Sequence, residues 1–217
     1  MKINKKELIS IIQTTETFTK PKVKLEQYCI DATSATDIIF FAGFEYNDIN
    51  NRFIIDLGAG TGRLSIASAY LNANVVLSLD LDYEALYVLK RNIISLGLEN
   101  IIFPLCIDIR NFELYKNSIL NHTKITTIMN PPFGVQKHRA DRFFLEKAFE
   151  FSDVIYSIHL AGEKVKNFIS KYSEKFNWYI DNFFPYILIL ERTFEFHTKK
   201  AKKINVNVFR LKRKIKK

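Results

Sequence analysis

Hydrophobic and polar positions along this chain repeat with two periods, which separate strands from helices. Short, largely apolar runs at 53–55, 75–79, 101–107, 125–129 and 154–158 are expected to be strands, the first with the character of one buried on both faces. Helical spacing occupies the intervals. The N-terminal 1–13 carries Ile3, Leu8, Ile11 and Ile12, and 32–41 places Ala35, Ile38, Ile39 and Ala42 together before Gly43, which is expected to close it. Residues 64–71 predict a helix, and Ala85, Leu86, Leu89 and Ile93 mark another with Asp82 as its N-cap and Gly97 as its stop. A short helix over 112–120 and longer ones over 140–151 and 163–176 follow, the phenylalanines of 140–151 being assigned to core. Last come a strand at 184–196 and an alternating one at 204–211, with Ile204, Val206 and Val208 against Asn205 and Asn207, expected to pair as a hairpin through 197–203. Strand alternating with helix predicts an α/β fold with a mostly parallel open sheet. Pro104, which cannot donate to a ladder, places the third strand at a sheet edge.

The first strand stops at Asp56, and three of the chain's seven glycines follow at alternate positions: Gly58, Gly60 and Gly62. Such a turn lets a ligand approach the backbone and points the amides of the next helix at it. Arg63 stands where a phosphate-gripping loop would have glycine, and no Gly-Lys-Ser/Thr follows. A dinucleotide fingerprint would want its third glycine one position later than Gly62. Asp56 favours a ligand with cationic or amine groups, such as S-adenosylmethionine. The second strand ends at Asp80, 18 residues after Gly62, placed to accept ribose hydroxyls, and the third ends at Asp108, placed to accept from an adenine amine. Asp37 reads as a surface acid.

The fourth strand runs into Asn130-Pro131-Pro132-Phe133-Gly134, 74 residues after Asp56, a span of βαβα units that brings two strand tips side by side. An exocyclic amine on a base is a poor nucleophile because its lone pair is delocalised into the ring. The Asn130 amide oxygen and the Pro131 carbonyl can accept its two hydrogens and free that lone pair, while Pro132 has no N–H to compete. Phe133 offers a face for stacking, worth about 1–3 kcal/mol per base. A paired base is out of reach, so the target is unpaired or flipped. A glutamine side-chain amide or a DNA adenine could be activated in the same way, and an RNA-reading module without chemistry would have no need of Asn130.

Charge narrows the partner. The 217-residue chain has a net charge of +9, but ten of its 32 basic residues and no acid lie in 198–217, leaving 22 basic against 23 acidic residues elsewhere. A basic edge on a neutral body suits a phosphate backbone better than general solubility. The hydrophobic share of 47% and charged share of 25% are those of a soluble protein expected to form one domain, with 1–45 as a helical segment closing over the cofactor and 46–217 as a Rossmann-like core with helices on both faces and a basic C-terminal hairpin. No run approaches the roughly 18 apolar residues of a membrane span and the N-terminus lacks a signal-peptide core, so a cytoplasmic protein is expected. Cys29 and Cys106 read as two free buried thiols, and the four histidines show no metal-ligand spacing, so no metal is expected.

The order DLGAGTG, Asp80, Asp108, NPPF resembles class I S-adenosylmethionine-dependent amino methyltransferases. Together with LEQY at 25–28, MNPPFG at 129–134, YSIH at 156–159 and FHTKKAKKINVNVFR from Phe196, the chain is similar to the methyltransferase-like protein five family, which modifies an adenine N6 in small-subunit ribosomal RNA. The likeness covers nearly the whole chain. It implies a seven-stranded sheet with the third strand at an edge, S-adenosylmethionine as cofactor with S-adenosylhomocysteine as product, and an RNA substrate. It implies catalytic roles for Asn130, Pro131, Pro132 and Phe133. Cofactor contacts are implied for Gln27, Tyr28, Asp56, Gly58, Gly60, Thr61 and Gly62, and for Asp80, Leu81, Asp108 and Ile109. His197, Lys199, Lys200, Lys202 and Lys203 would meet RNA. The family also implies a small zinc-binding activator subunit, for which 101–107 offers an edge. Cys29-Ile30 stand where the family has Pro-Thr.

Overall fold

The computed structural model describes residues 3–115, 123–134, 140–191 and 201–214. At its centre β1 (Phe53–Leu57) lies between β2 (Val75–Asp80) and β4 (Ile125–Met129), parallel to both, with Ile55 opposite Leu77 on one side and Thr127 on the other. The sheet has seven strands in the order β3-β2-β1-β4-β5-β7-β6, with β3 at Ile102–Cys106, β5 at Val154–Leu160, β6 at Trp178–Glu191 and β7 at Ala201–Arg213. The chain steps outward from β1 to β3 and then returns to β4. Strand order therefore reverses between β1 and β4, which opens a crevice at their carboxyl ends.

Helices α1 (Lys5–Gln13), α2 (Ala32–Phe40), α3 (Arg63–Tyr70) and α4 (Tyr83–Ser95) bury Leu8, Ile39, Ile66 and Leu89 against one face. On the other face α5 (Ala140–Phe151) and α6 (Glu163–Glu174) bury Leu145, Phe149 and Ile169 with Trp178 and Phe209. Asp82 caps α4 as expected, its Oδ1 accepting the Glu84 amide at 3.1 Å. No helix among the described residues is long and apolar enough to cross a membrane.

β3 is an edge strand for the reason Pro104 gives. The Ile101 carbonyl accepts from the Val76 amide and the Ile107 amide donates to Asp80, so odd-numbered residues bond β2 and the missing N–H of Pro104 falls on the free side. Phe103, Leu105 and Cys106 are exposed there, which corrects the expectation that both thiols are buried: Cys29 is, Cys106 is not.

Other expectations need revision. Gly43 does not close α2; the chain continues through a wide π-type turn, Phe41–Glu45. Its role is close packing, since a Cβ there would stand 2.7 Å from Leu71 Cδ2. Asp37 is half-buried and bonded to Lys5 at 2.8 Å and to the Tyr186 hydroxyl at 2.9 Å. Residues 112–115 are not helical, and the rest of that expected helix lies outside the described residues. β6 begins at Trp178, before the expected Phe184, because a register shift between Ile180 and Asn182 interrupts the alternation with a turn-like Asp181-Asn182 pair. The YSIH residues serve the framework: Tyr156 donates to Asp48 at 2.8 Å, and His159 shares a 2.6 Å hydrogen bond with Ser157.

β7 is antiparallel to both β5 and β6, so β6 runs in the direction of the central strands. The end of β6 and the start of β7 thus lie at the sheet edge that carries Asp56 and Asn130. The segment 14–31 between α1 and α2 crosses the same edge as a strap with one 3-10 turn at Val23–Leu25.

Candidate active site

The crevice holds a cavity of about 230 Å3. Its floor is the turn after β1. Gly58, Gly60 and Gly62 all have positive φ, at 74°, 56° and 90°. Space as well as φ requires glycine at two of them: a Cβ on Gly60 would stand 2.9 Å from Phe18 Cζ, and one on Gly62 would stand 2.1 Å from Leu89 Cδ1. The turn is therefore held against the protein's own side chains, Phe18 of the strap and Leu89 of α4, and still faces the cavity.

Gly58, Gly60, Thr61 and Gly62 line that cavity, as do Gln27, Tyr28, Asp80 and Leu81. Asp108, Ile109, Asn130 and Pro132 complete the expected set found there. Three expected residues stand back from the wall. Asp56 lies beneath the turn, 1% exposed, with Oδ2 accepting from Ser65 Oγ at 2.6 Å and Oδ1 without a partner. Pro131 is buried, and half-buried Phe133 stacks on Tyr28 with ring centroids 5.3 Å apart and planes at 29°.

Burial sets the electrostatics. It pushes the Asp56 carboxyl up to about 7 against the Ser65 hydrogen bond, with nearby Asp80 adding to the rise. Asp80 is also raised by burial, although the Gly60 and Asp82 amides each donate to it at 2.8 Å. Asp82 is held below the ordinary carboxylate range: burial opposes this, but Lys22 at 2.6 Å, Gln27 at 2.7 Å and the Glu84 amide outweigh it. Those bonds tie the strap to α4. Asp108 is paired with the Arg110 guanidinium and also accepts the Arg110 amide at 3.0 Å. Burial drives the Tyr28 hydroxyl well above its usual range, with the Asn130 side chain beside it pulling the other way, and Asn130 Oδ1 is buried and unpartnered.

The residues present fit an adenosyl-sulfonium ligand on three observations. Glycines at positive φ expose the turn to the cavity, Asp80 at the end of β2 lines it, and the buried Asp56 carboxylate beneath the turn keeps an oxygen without a donor. Phe18, Arg110 and Phe144 also line the cavity and were missed by sequence reasoning; Phe144, taken for core, covers Gly58. Phe18, a lone aromatic in the polar stretch TETFTK, carried the one available signal.

Lys203 is exposed on β7 opposite Ile189, and the backbone of Lys202 pairs with Leu190. His197, Lys199 and Lys200 lie outside the described residues.

Comparison with known proteins places these features. A family profile described as ribosomal protein L11 methyltransferase (PrmA) matches residues 32–114. The chain is 39% identical to the uncharacterised protein MJ0284 of Methanocaldococcus jannaschii, over 97% of this chain and 95% of that one. It is 30% identical to the rRNA N(6)-adenosine-methyltransferase METTL5 of Danio rerio, over 94% of this chain and 97% of that protein. The crystal structure of PH1948 from Pyrococcus horikoshii superposes with a TM-score of 0.86 at 36% identity, covering 99% of this chain and 100% of that one.

Proposed function

The chain belongs to the METTL5 family of rRNA N6-adenosine methyltransferases, and on that footing we propose that it methylates the N6 amine of an unpaired adenine in small-subunit ribosomal RNA, with S-adenosylmethionine as methyl donor. The observation that carries the reading is the buried, unpartnered Oδ1 of Asn130 at the tip of β4, on the wall of the glycine-turn cavity.

When bound, S-adenosylmethionine supplies a methyl group activated by a sulfonium. Asp80 and Asp108 face the cavity as acceptors for its hydroxyls and amine, and the turn from Gly58 to Gly62 gives it a floor of backbone. Asn130 Oδ1 and the Pro131 carbonyl take the two hydrogens of the adenine amine and hold its lone pair out of the ring. The two prolines fix both acceptors, and the Phe133 ring orients the base plane. Methyl transfer would form the new N–C bond as the S–C bond of the donor broke, leaving S-adenosylhomocysteine, and the amine would give up one proton to solvent. No general base of shifted pKa is required.

The basic hairpin supports RNA as acceptor, because Lys203 stands at the carboxyl edge of the sheet, the edge that holds Asn130. The exposed edge of β3 is the place for a partner. Phe103 is 45% and Leu105 39% exposed, which fits an added strand from the zinc-binding activator subunit. The test is transfer of labelled methyl to separated small- and large-subunit RNA, with and without co-expressed activator. Label in small-subunit RNA supports the reading, whereas label confined to protein moves the acceptor to a glutamine amide.

A further inference from the structure

Tyr28 sits where the acceptor base has to go. A base on this site needs the Phe133 face and the Asn130 amide oxygen, and one side chain takes both: the Tyr28 ring stacks on Phe133 at 5.3 Å and its hydroxyl is buried beside Asn130. A base held between two rings would need them about 7 Å apart, twice the closest carbon–carbon packing distance. The observed spacing leaves no such gap.

The backbone around Tyr28 is pinned on both sides. Before it, Lys22 and Gln27 bond Asp82 at 2.6 and 2.7 Å. After it, Cys29 Sγ lies 3.5 Å from Thr61 Oγ1 and Arg63 donates to the Ile30 carbonyl at 2.8 Å. Clearing the slot is therefore a rotation of one side chain with the strap left in place.

We infer that Tyr28 is a specificity-determining residue, whose ring holds the base slot shut against free adenine nucleosides and yields only to a base delivered by a longer RNA. The inference rests on the reading of the site as an adenine N6 methyltransferase. A free nucleoside must displace the ring with base contacts alone. An RNA strand adds phosphate contacts outside the slot, and these offset the displacement.

The test is methylation of free adenosine, scored as N6-methyladenosine, by the full-length wild type, Tyr28→Ala, Tyr28→Leu and Tyr28→Phe, with ribosomal RNA assayed in parallel and cooperative thermal unfolding as the check on folding. Tyr28→Ala should raise kcat/KM for adenosine at least tenfold over wild type, through KM, with Tyr28→Leu intermediate. Tyr28→Phe, which keeps the ring, should stay closed. Tyr28→Leu carries the test should the alanine variant not fold. Adenosine methylation that stays at or below the wild-type level in a variant active on RNA would overturn the inference alone. Wild type that forms no N6-methyladenosine in RNA would instead overturn the functional reading beneath it.

Discussion

Asp56 and Asn130 end neighbouring parts of the same sheet edge, and each keeps a buried oxygen without a donor. For Asp56 the consequence is visible in stability. Its folded carboxyl is raised to about 7 from 3.8, so between those values the folded protein binds a proton that the unfolded chain has lost. Stability is therefore fullest at the acid end and falls as pH rises through 7. Asp56→Asn, which cannot ionise, should narrow this decline: without ligand, the midpoint of wild type should fall further below that of the variant at pH 8 than at pH 5. Parallel melting curves across that range would refute the assignment. The sequence made the site's strand-tip residues legible, because Asp80, Asp108 and Asn130 each close an apolar run and the parallel fold collects such positions. It hid what the strap contributes. Phe18 and the Lys22–Gln27–Asp82 ties join residues far apart in sequence, and no local pattern announces a contact of that range.

At the level of elements, strands and helices were readable wherever one period ran unbroken, as in β1, β4 and α4. They blurred where a local feature broke the period, as at the β6 bulge and the π-type turn after α2. Pro104 was the most informative single residue, because its missing N–H restricts the strand to an edge. The edge carries a prediction. Leu105→Asp puts a charge on the exposed side of β3 and leaves the buried core untouched. Co-expressed activator should raise the unfolding midpoint of the wild-type chain and fail to raise that of the variant, while the two chains alone unfold within a few degrees of each other. Equal stabilisation of both would remove β3 as the docking edge.

Over the whole molecule, the charge distribution and the topology agree. The excess of basic residues is confined to 198–217, and the antiparallel pairing of β7 with β5 and β6 brings its first residues, from Ala201 on, to the edge that holds the cavity. Neutralising Lys199, Lys200, Lys202 and Lys203 together should weaken RNA binding and flatten its salt dependence. The slope of log K against log salt should change by about 0.7 for each single-strand phosphate that the lysines no longer neutralise. An unchanged slope would return the hairpin to plain surface.

The most direct test of the central claim is nucleoside analysis of small-subunit RNA after incubation with S-adenosylmethionine and either wild type or Asn130→Ala. The account predicts N6-methyladenosine at one site with wild type and none above background with the variant, whose cofactor affinity stays within a few fold of wild type. N6-methyladenosine formed equally by both proteins would contradict it, because the buried Asn130 oxygen would then have no part in activating the amine.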